Sequence, residues 1–268
     1  MSAQELVVSI VQADTVWHDP QANREYYAGL LQDRKQNADI IVLPETFTSG
    51  FSNAALDQAE TMRGETVNWL REMAETYACA ITGSVQIREG EQVFNRMLWA
   101  MPDGTLQHYD KRHLFRMANE HQRYAAGKDR TIIEYKGWRI CLLVCYDLRF
   151  PVYSRNRFNH TLSDGYDYDV LIYVANWPSP RHFAWQTLLK ARAIENLSYV
   201  VGVNRTGSDG NGLHYLGGST VLDFLGQTVI EAGQTPEIRS AGISRDELNA
   251  FRERFPVHLD ADRFELLD

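Results

Sequence analysis

The chain has 268 residues, 44% hydrophobic and 23% charged, the profile of a soluble globular protein able to bury a core without disulfides or metals. Its net charge of −8 disfavours a nucleic-acid partner, because phosphate binding needs a clustered basic surface. No apolar run approaches the roughly 18 residues that span a bilayer, so no membrane partner is expected.

The pattern of short apolar runs gives the elements in chain order. Residues 6–13 (LVVSIVQA) predict a buried strand. Asp19 then caps a helix that has Pro20 at its first position. Residues 39–43 (DIIVL) predict a second buried strand. Residues 64–78 predict an amphipathic helix with Val67, Leu70, Met73, Ala74 and Tyr77 on one face. Residues 79–86 and 92–101 read as paired strands, followed by a turn at Pro102-Asp103-Gly104. Lys136-Gly137 marks a hairpin between strands 131–135 and 138–145. A buried strand follows at 170–175, a helix at 180–197, and strands at 198–204 and 219–224. No linker, repeat or low-complexity segment interrupts the chain, so residues 1–268 are expected to form one domain. Continuous apolar strands need cover on both faces, which predicts an α/β protein with layered sheets. The pattern leaves the strand order open.

Three cysteines, Cys79, Cys141 and Cys145, are an odd number. With no basic-then-apolar leader in Met1-Ser2-Ala3-Gln4-Glu5-Leu6, they predict a reducing, cytoplasmic setting. Cys79 and Cys141 read as core. Cys145 ends a buried strand, where the chain leaves for a turn at Leu148-Arg149-Phe150-Pro151. A nucleophile at such a junction is exposed at the sheet edge, and the backbone N–H groups that follow can hold an oxyanion. On that segment alone a structural cysteine is the better reading. Glu45 directly follows the strand at 39–43, and Lys111 sits in Tyr109-Asp110-Lys111-Arg112-His113-Leu114-Phe115. In isolation each is a surface charge. Together they are a complete set for acyl transfer: a thiol, a base to take its proton, and an ammonium to favour thiolate and oxyanion.

These segments, Leu43-Pro44-Glu45, Tyr109 to Phe115 and Cys145-Tyr146-Asp147-Leu148-Arg149-Phe150-Pro151, resemble the three signature segments of the nitrilase superfamily of carbon–nitrogen hydrolases, in order and spacing. The resemblance continues through Ala175-Asn176-Trp177-Pro178, Ala191-Arg192-Ala193-Ile194-Glu195-Asn196 and Asn204-Arg205-Thr206-Gly207. It implies a four-layer αββα sandwich, a homodimer, and an amidase that needs no cofactor or metal. It implies Glu45 as general base, Lys111 as transition-state stabiliser and Cys145 as nucleophile. Glu120, in Asn119-Glu120-His121, matches the family's second glutamate and would position the lysine and substrate. Within the superfamily the chain is most similar to bacterial omega-amidases, through Arg112, residues 117–121, Trp177 and residues 255–262. That implies small 2-oxo acid amides such as 2-oxoglutaramate or 2-oxosuccinamate as substrates. Residues 156–169 are longer than the family's usual segment.

Such a substrate carries a carboxylate opposite its amide, and an arginine fork suits it. Arg181 is the first candidate and Arg116 the second. Phe115 and Trp177 would supply apolar walls, and the Tyr146 N–H an oxyanion contact. For each, a surface or core role is the ordinary alternative. The rival reactions are hydrolysis of an N-carbamoyl amine or a nitrile. A Cys–His hydrolase would use His113, His121 or His182, which otherwise read as surface or capping residues. A metal enzyme is disfavoured, since neither His-Glu-x-x-His nor Cys-x-x-Cys occurs. The glycines between Gly202 and Gly218 form no phosphate-binding fingerprint. A non-catalytic interaction module would leave its cysteines inert to alkylation at neutral pH, where an activated Cys145 is expected to react fast. The aromatic and charged residues of 251–264 are expected to pack across a dimer partner.

Overall fold

Alternation along each strand decides the layers. Leu6, Val8 and Ile10 share one buried cluster, while Val11 belongs to a second cluster on the opposite face. The computed structural model describes residues 5–32, 37–158 and 165–266. Its strands are β1 (Glu5–Gln12), β2 (Ile40–Val42), β3 (Ala80–Glu89), β4 (Gln92–Ala100), β5 (Leu106–Asp110), β6 (Ile132–Tyr135) and β7 (Trp138–Val144). They continue as β8 (Val170–Ala175), β9 (Tyr199–Asn204), β10 (Thr206–Ser208), β11 (His214–Leu216), β12 (Thr220–Leu222), β13 (Thr228–Glu231) and β14 (Glu237–Ser244). The α-helices are α1 (Pro20–Gln32), α2 (Glu65–Tyr77), the single turn α3 (Pro151–Ser154), α4 (His182–Asn196) and α5 (Arg245–Arg254).

One six-stranded sheet runs β14-β1-β2-β3-β4-β5 and the other β13-β12-β9-β8-β7-β6, with β10 and β11 as a separate hairpin. The middle of each is parallel: β1–β2–β3 in the first, β7–β8–β9 in the second. The outer pairs are antiparallel. Val8, Ile10, Met97 and Trp99 of the first sheet share a core with Ile140, Leu142 and Val144 of the second. The first sheet's other face, with Ile41, Ile81 and Leu98, packs on Tyr27 and Leu31 of α1 and Val67, Leu70 and Ala74 of α2. Trp185, Leu189 and Ala193 of α4 cover the second sheet. The result is the expected αββα sandwich.

Local chemistry explains the boundaries. Oδ1 of Asp19 accepts the Ala22 N–H at 2.9 Å, capping the helix that Pro20 opens. Lys136 and Gly137 both take positive φ, 48° and 79°, the two-residue turn that lets Tyr135 pair with Trp138. The helix expected over 180–197 starts later, at His182. Ser179–Arg181 forms a 3-10 turn instead, with the Arg181 N–H on the Pro178 carbonyl at 3.0 Å. The C-terminal aromatic segment packs on its own chain: Phe251 stacks on Phe224 at 4.8 Å between centroids, and His258 on Phe158 at 4.1 Å. Of the long segment 156–169, residues 159–164 lie outside the described residues.

Candidate active site

Glu45, Lys111, Cys145 and Trp177 all lie just past the C-terminal ends of strands, β2, β5, β7 and β8 respectively. The two sheets face each other, so these ends converge on one cavity of about 320 Å³. Its walls include Glu45, Lys111, Cys145, Phe115, Tyr146, Trp177 and Arg181. That volume suits a small ligand.

Glu45 is buried and each carboxylate oxygen is used. Oε1 accepts Asn95 Nδ2 at 2.8 Å and Lys111 Nζ at 3.0 Å. Oε2 accepts the Asn176 N–H at 2.7 Å. The next residue, Thr46, takes a positive φ of 41°, and Ser84 Oγ holds its N–H at 2.8 Å. Lys111 donates also to Glu120, at 3.0 Å to Oε1 and 3.1 Å to Oε2. The Lys111 cation lies over the Phe51 ring, 5.2 Å from its centroid. Burial alone would lower the lysine's pKa, but Glu120 and Glu45 more than offset it and hold the ammonium well above its ordinary range. Burial raises the Glu120 carboxyl, and Lys111 opposes that rise. Glu120 also accepts the Phe115 N–H at 2.5 Å and does not line the cavity, so it acts on Lys111 from behind.

Cys145 opens a short 3-10 turn, Cys145–Arg149, with φ of 45°, a left-handed conformation unfavourable for a residue with a Cβ. Burial pushes its thiol well above the ordinary value, Glu45 adds to the rise, and Lys111 opposes it. Glu45 and Lys111 thus act on the thiol in opposite senses at the cavity's reacting end.

Arg116, the second arginine candidate, is exposed and absent from the cavity wall. The 3-10 turn Arg116–Ala118, closed by the Asn119 N–H on Arg116 O, carries it outward. Arg149 takes that place. It lines the cavity with its guanidinium 5.0 Å from the Trp177 ring centroid, and Arg181 lies 5.3 Å from that of Phe115. Among the described residues no histidine lines the cavity. His113 is instead held by Asp147, 2.7 Å from its Nδ1, and stacked on Phe150.

Asn95, Asn176, Phe51, Arg149, Asp209 and Tyr215 were not singled out from sequence. Asn176 and Arg149 sit inside segments that carry the family resemblance, so a signal for them existed. Asn95 left only a weak one, a polar residue inside the apolar strand QVFNRMLWA. Asp209 is engaged by the Tyr215 hydroxyl at 2.8 Å and by the N–H groups of Asn211 and Leu213, which shapes the far wall.

The sandwich and this cysteine–glutamate–lysine centre define a carbon–nitrogen hydrolase of the nitrilase superfamily, acting on non-peptide bonds. The chain belongs to the carbon-nitrogen hydrolase family, which it matches over residues 7–253. It is 49% identical to Omega-amidase YafV of Yersinia enterocolitica, over 98% of this chain and 99% of that one. It is 34% identical to the 2-oxoglutaramate amidase of Bacillus subtilis (strain 168), over 94% and 96%. A solved CN-hydrolase superfamily protein of Xanthomonas campestris, with an arsenic adduct in its active site, is 56% identical with a TM-score of 0.96, covering 98% of this chain and 99% of that one.

Proposed function

We propose that this protein hydrolyses the terminal amide of a small 2-oxo dicarboxylic acid monoamide, 2-oxoglutaramate or 2-oxosuccinamate, with Cys145 as nucleophile. The observation that carries it is one small cavity with Cys145, Glu45 and Lys111 at the reacting end and two guanidiniums, Arg149 and Arg181, on its wall. Likeness to omega-amidases supports the substrate class.

In the first step Glu45 takes the thiol proton as sulfur bonds to the amide carbon. Lys111 Nζ and the Tyr146 N–H hold the oxyanion. Tyr146 is second in its 3-10 turn, so its N–H has no acceptor within that turn. Glu45 gives the proton to the amide nitrogen, the C–N bond breaks and ammonia leaves a thioester. In the second step Glu45 deprotonates a water that attacks the thioester. The thiolate leaves and recovers the proton, and the dicarboxylate departs. Glu120 keeps Lys111 in place throughout. Arg181 or Arg149 holds the distal carboxylate between the Phe115 and Trp177 walls. One domain over residues 1–268, a cytoplasmic location and a homodimer belong to this reading. The family match supports the first, the odd cysteine count the second and the superfamily resemblance the third. Light scattering at the mass of one chain in active solution would remove the dimer.

The test is ammonia release from 2-oxoglutaramate, glutamine, an N-carbamoyl amino acid and a simple nitrile. A preference for 2-oxoglutaramate is expected. Equal rates on an amide without a carboxylate would overturn the assignment, and preference for the carbamoyl compound or nitrile would select the rival reaction.

A further inference from the structure

The side chain of Asp147 is buried between the two catalytic segments and receives four donors. Its Oδ1 accepts the His113 N–H at 3.0 Å and lies 2.7 Å from His113 Nδ1. Its Oδ2 accepts the Tyr109 hydroxyl at 2.8 Å and the Val144 N–H at 2.9 Å. The placement of those donors is specific. Tyr109 stands two residues before Lys111 and His113 two residues after it, while Val144 immediately precedes Cys145. One carboxylate thus ties both flanks of the lysine, at the end of the first sheet, to the nucleophile turn at the end of the second. The tie is rigid at each end. The Tyr109 oxygen also accepts the Arg112 N–H at 3.2 Å, and the His113 ring is stacked on Phe150 with centroids 3.8 Å apart and planes 5° from parallel.

We propose that Asp147 is a positioning residue that sets the distance from Lys111 to Cys145 by bonding the lysine's flanks to the nucleophile turn. The inference rests on the catalytic roles given above to Lys111 and Cys145. Sheet-to-sheet packing is apolar and non-directional, so it does not by itself fix the reach of a lysine on one sheet to a thiol on the other. Four hydrogen bonds to one carboxylate are directional and do. Asparagine in its place offers one acceptor oxygen and one donor nitrogen. The nitrogen must then face either the Val144 N–H or the His113 donors, so one side of the tie breaks.

The experiment compares Asp147→Asn, Tyr109→Phe and His113→Gln in steady-state kinetics and in alkylation of Cys145 by iodoacetamide across pH, with circular dichroism as the check on folding. Asp147→Asn is expected to lower kcat by about 10²-fold, the order of loss from a misplacement near 1 Å, with KM little changed. Its alkylation curve moves to higher pH, because a withdrawn Lys111 no longer favours the thiolate. Tyr109→Phe and His113→Gln each remove one bond and lose about fivefold to tenfold in kcat. The alkylation shift disappears when Asp147→Asn is made in a Lys111→Met background, since the effect runs through the lysine.

An unchanged kcat in folded Asp147→Asn overturns the inference. So does an alkylation shift of equal size without Lys111, which would mean that Asp147 acts on the thiol directly. If Asp147→Asn does not fold, Tyr109→Phe and His113→Gln decide: wild-type kcat in both overturns the inference. Failure of the catalytic reading itself shows separately, as turnover that survives Cys145→Ala.

Discussion

The ammonium nitrogen of Lys111 stands 3.0 Å from Oε1 of Glu45, and neither side chain has any solvent exposure. A second carboxylate, Glu120, lies equally close on the same cation. One positive charge therefore keeps two buried carboxylates compatible. Removing it leaves both facing each other without compensation, the costly way to break a buried ion pair. Lys111→Met is expected to abolish turnover and to destabilise the fold by about 3–5 kcal/mol, read by denaturant unfolding. Wild-type stability in that variant would show that the cluster is not the buried ion group described. The pH dependence follows from the raised lysine pKa. A base held above its ordinary value of 10.5 contributes fully below 10.5 and loses that contribution only as pH rises through the raised value. Lys111 should hold the cluster unchanged through neutral and mildly alkaline pH.

Glu45→Gln should move two readouts in opposite directions. Turnover should fall at least about 10²–10⁴-fold, because the same group serves as base and acid in both steps. Alkylation of Cys145 at neutral pH should speed up. In the wild type burial raises the thiol above its ordinary value of 9.0, and the Glu45 charge raises it further. Glutamine removes that negative charge while Lys111 remains, so the thiolate becomes easier to form. Slower alkylation in Glu45→Gln would show that Glu45 acts on the thiol more as its base than as a charge opposing the thiolate.

Most of what places the site was legible in the sequence. The strands ending near Val42, Val144 and Ala175 are continuous apolar runs, and Glu45, Cys145 and Trp177 lie just beyond them. Strand β5, which delivers Lys111, was missed because LQHYD is half polar and lies second to the turn that precedes it. Strand β14 was missed for a similar reason: EIRSAGIS lies at an edge and buries only Ile238 and Ile243, so its apolar signal is thin. Which arginine reaches the cavity was not legible in the same way. Arg116 and Arg149 look alike as letters, and only the turn at Arg116–Ala118 sends one outward while the turn at Cys145–Arg149 sets the other on the cavity wall. The opposing pulls of Glu45 and Lys111 on the thiol were likewise out of reach, since they depend on where the two charges sit in space.

Cys141→Ser separates chemistry from packing. Cys141 lies within β7 and is fully buried, and burial raises its thiol to about 12 while Arg130 opposes the rise. It should stay unlabelled by iodoacetamide under conditions that label Cys145. Serine puts a hydroxyl among apolar side chains, at a cost of roughly 1–3 kcal/mol. The expected result is a lower unfolding midpoint with kcat and KM preserved. Loss of kcat in folded Cys141→Ser would place that thiol in the reaction and undo the assignment to Cys145 alone.

The two cavity arginines give the sharpest test of substrate class. Each guanidinium lies over an aromatic ring, Arg149 over Trp177 and Arg181 over Phe115, which holds its fork at a set angle to the wall. The Arg181 backbone also accepts the Trp177 indole N–H at 2.7 Å, and that bond survives truncation of the side chain. Arg181→Ala should therefore remove the cation and leave Trp177 in place. For a 2-oxo acid amide the expected loss is about 10²-fold in kcat/KM, carried mainly by KM, the order for deleting one partner of a desolvated charge pair. Arg149→Ala should behave similarly. If both forks grip one carboxylate, the double variant loses less than the product of the single losses, because the first truncation already releases part of the grip. Arg181→Lys should recover little, since an ammonium lacks both the fork and the stacking on Phe115. An uncharged amide of the same length supplies the control. It should be a poor substrate for the wild type, and neither truncation should weaken it further. If both arginine variants lose as much on the uncharged amide as on the acid, the guanidiniums support the cavity wall and do not read a carboxylate.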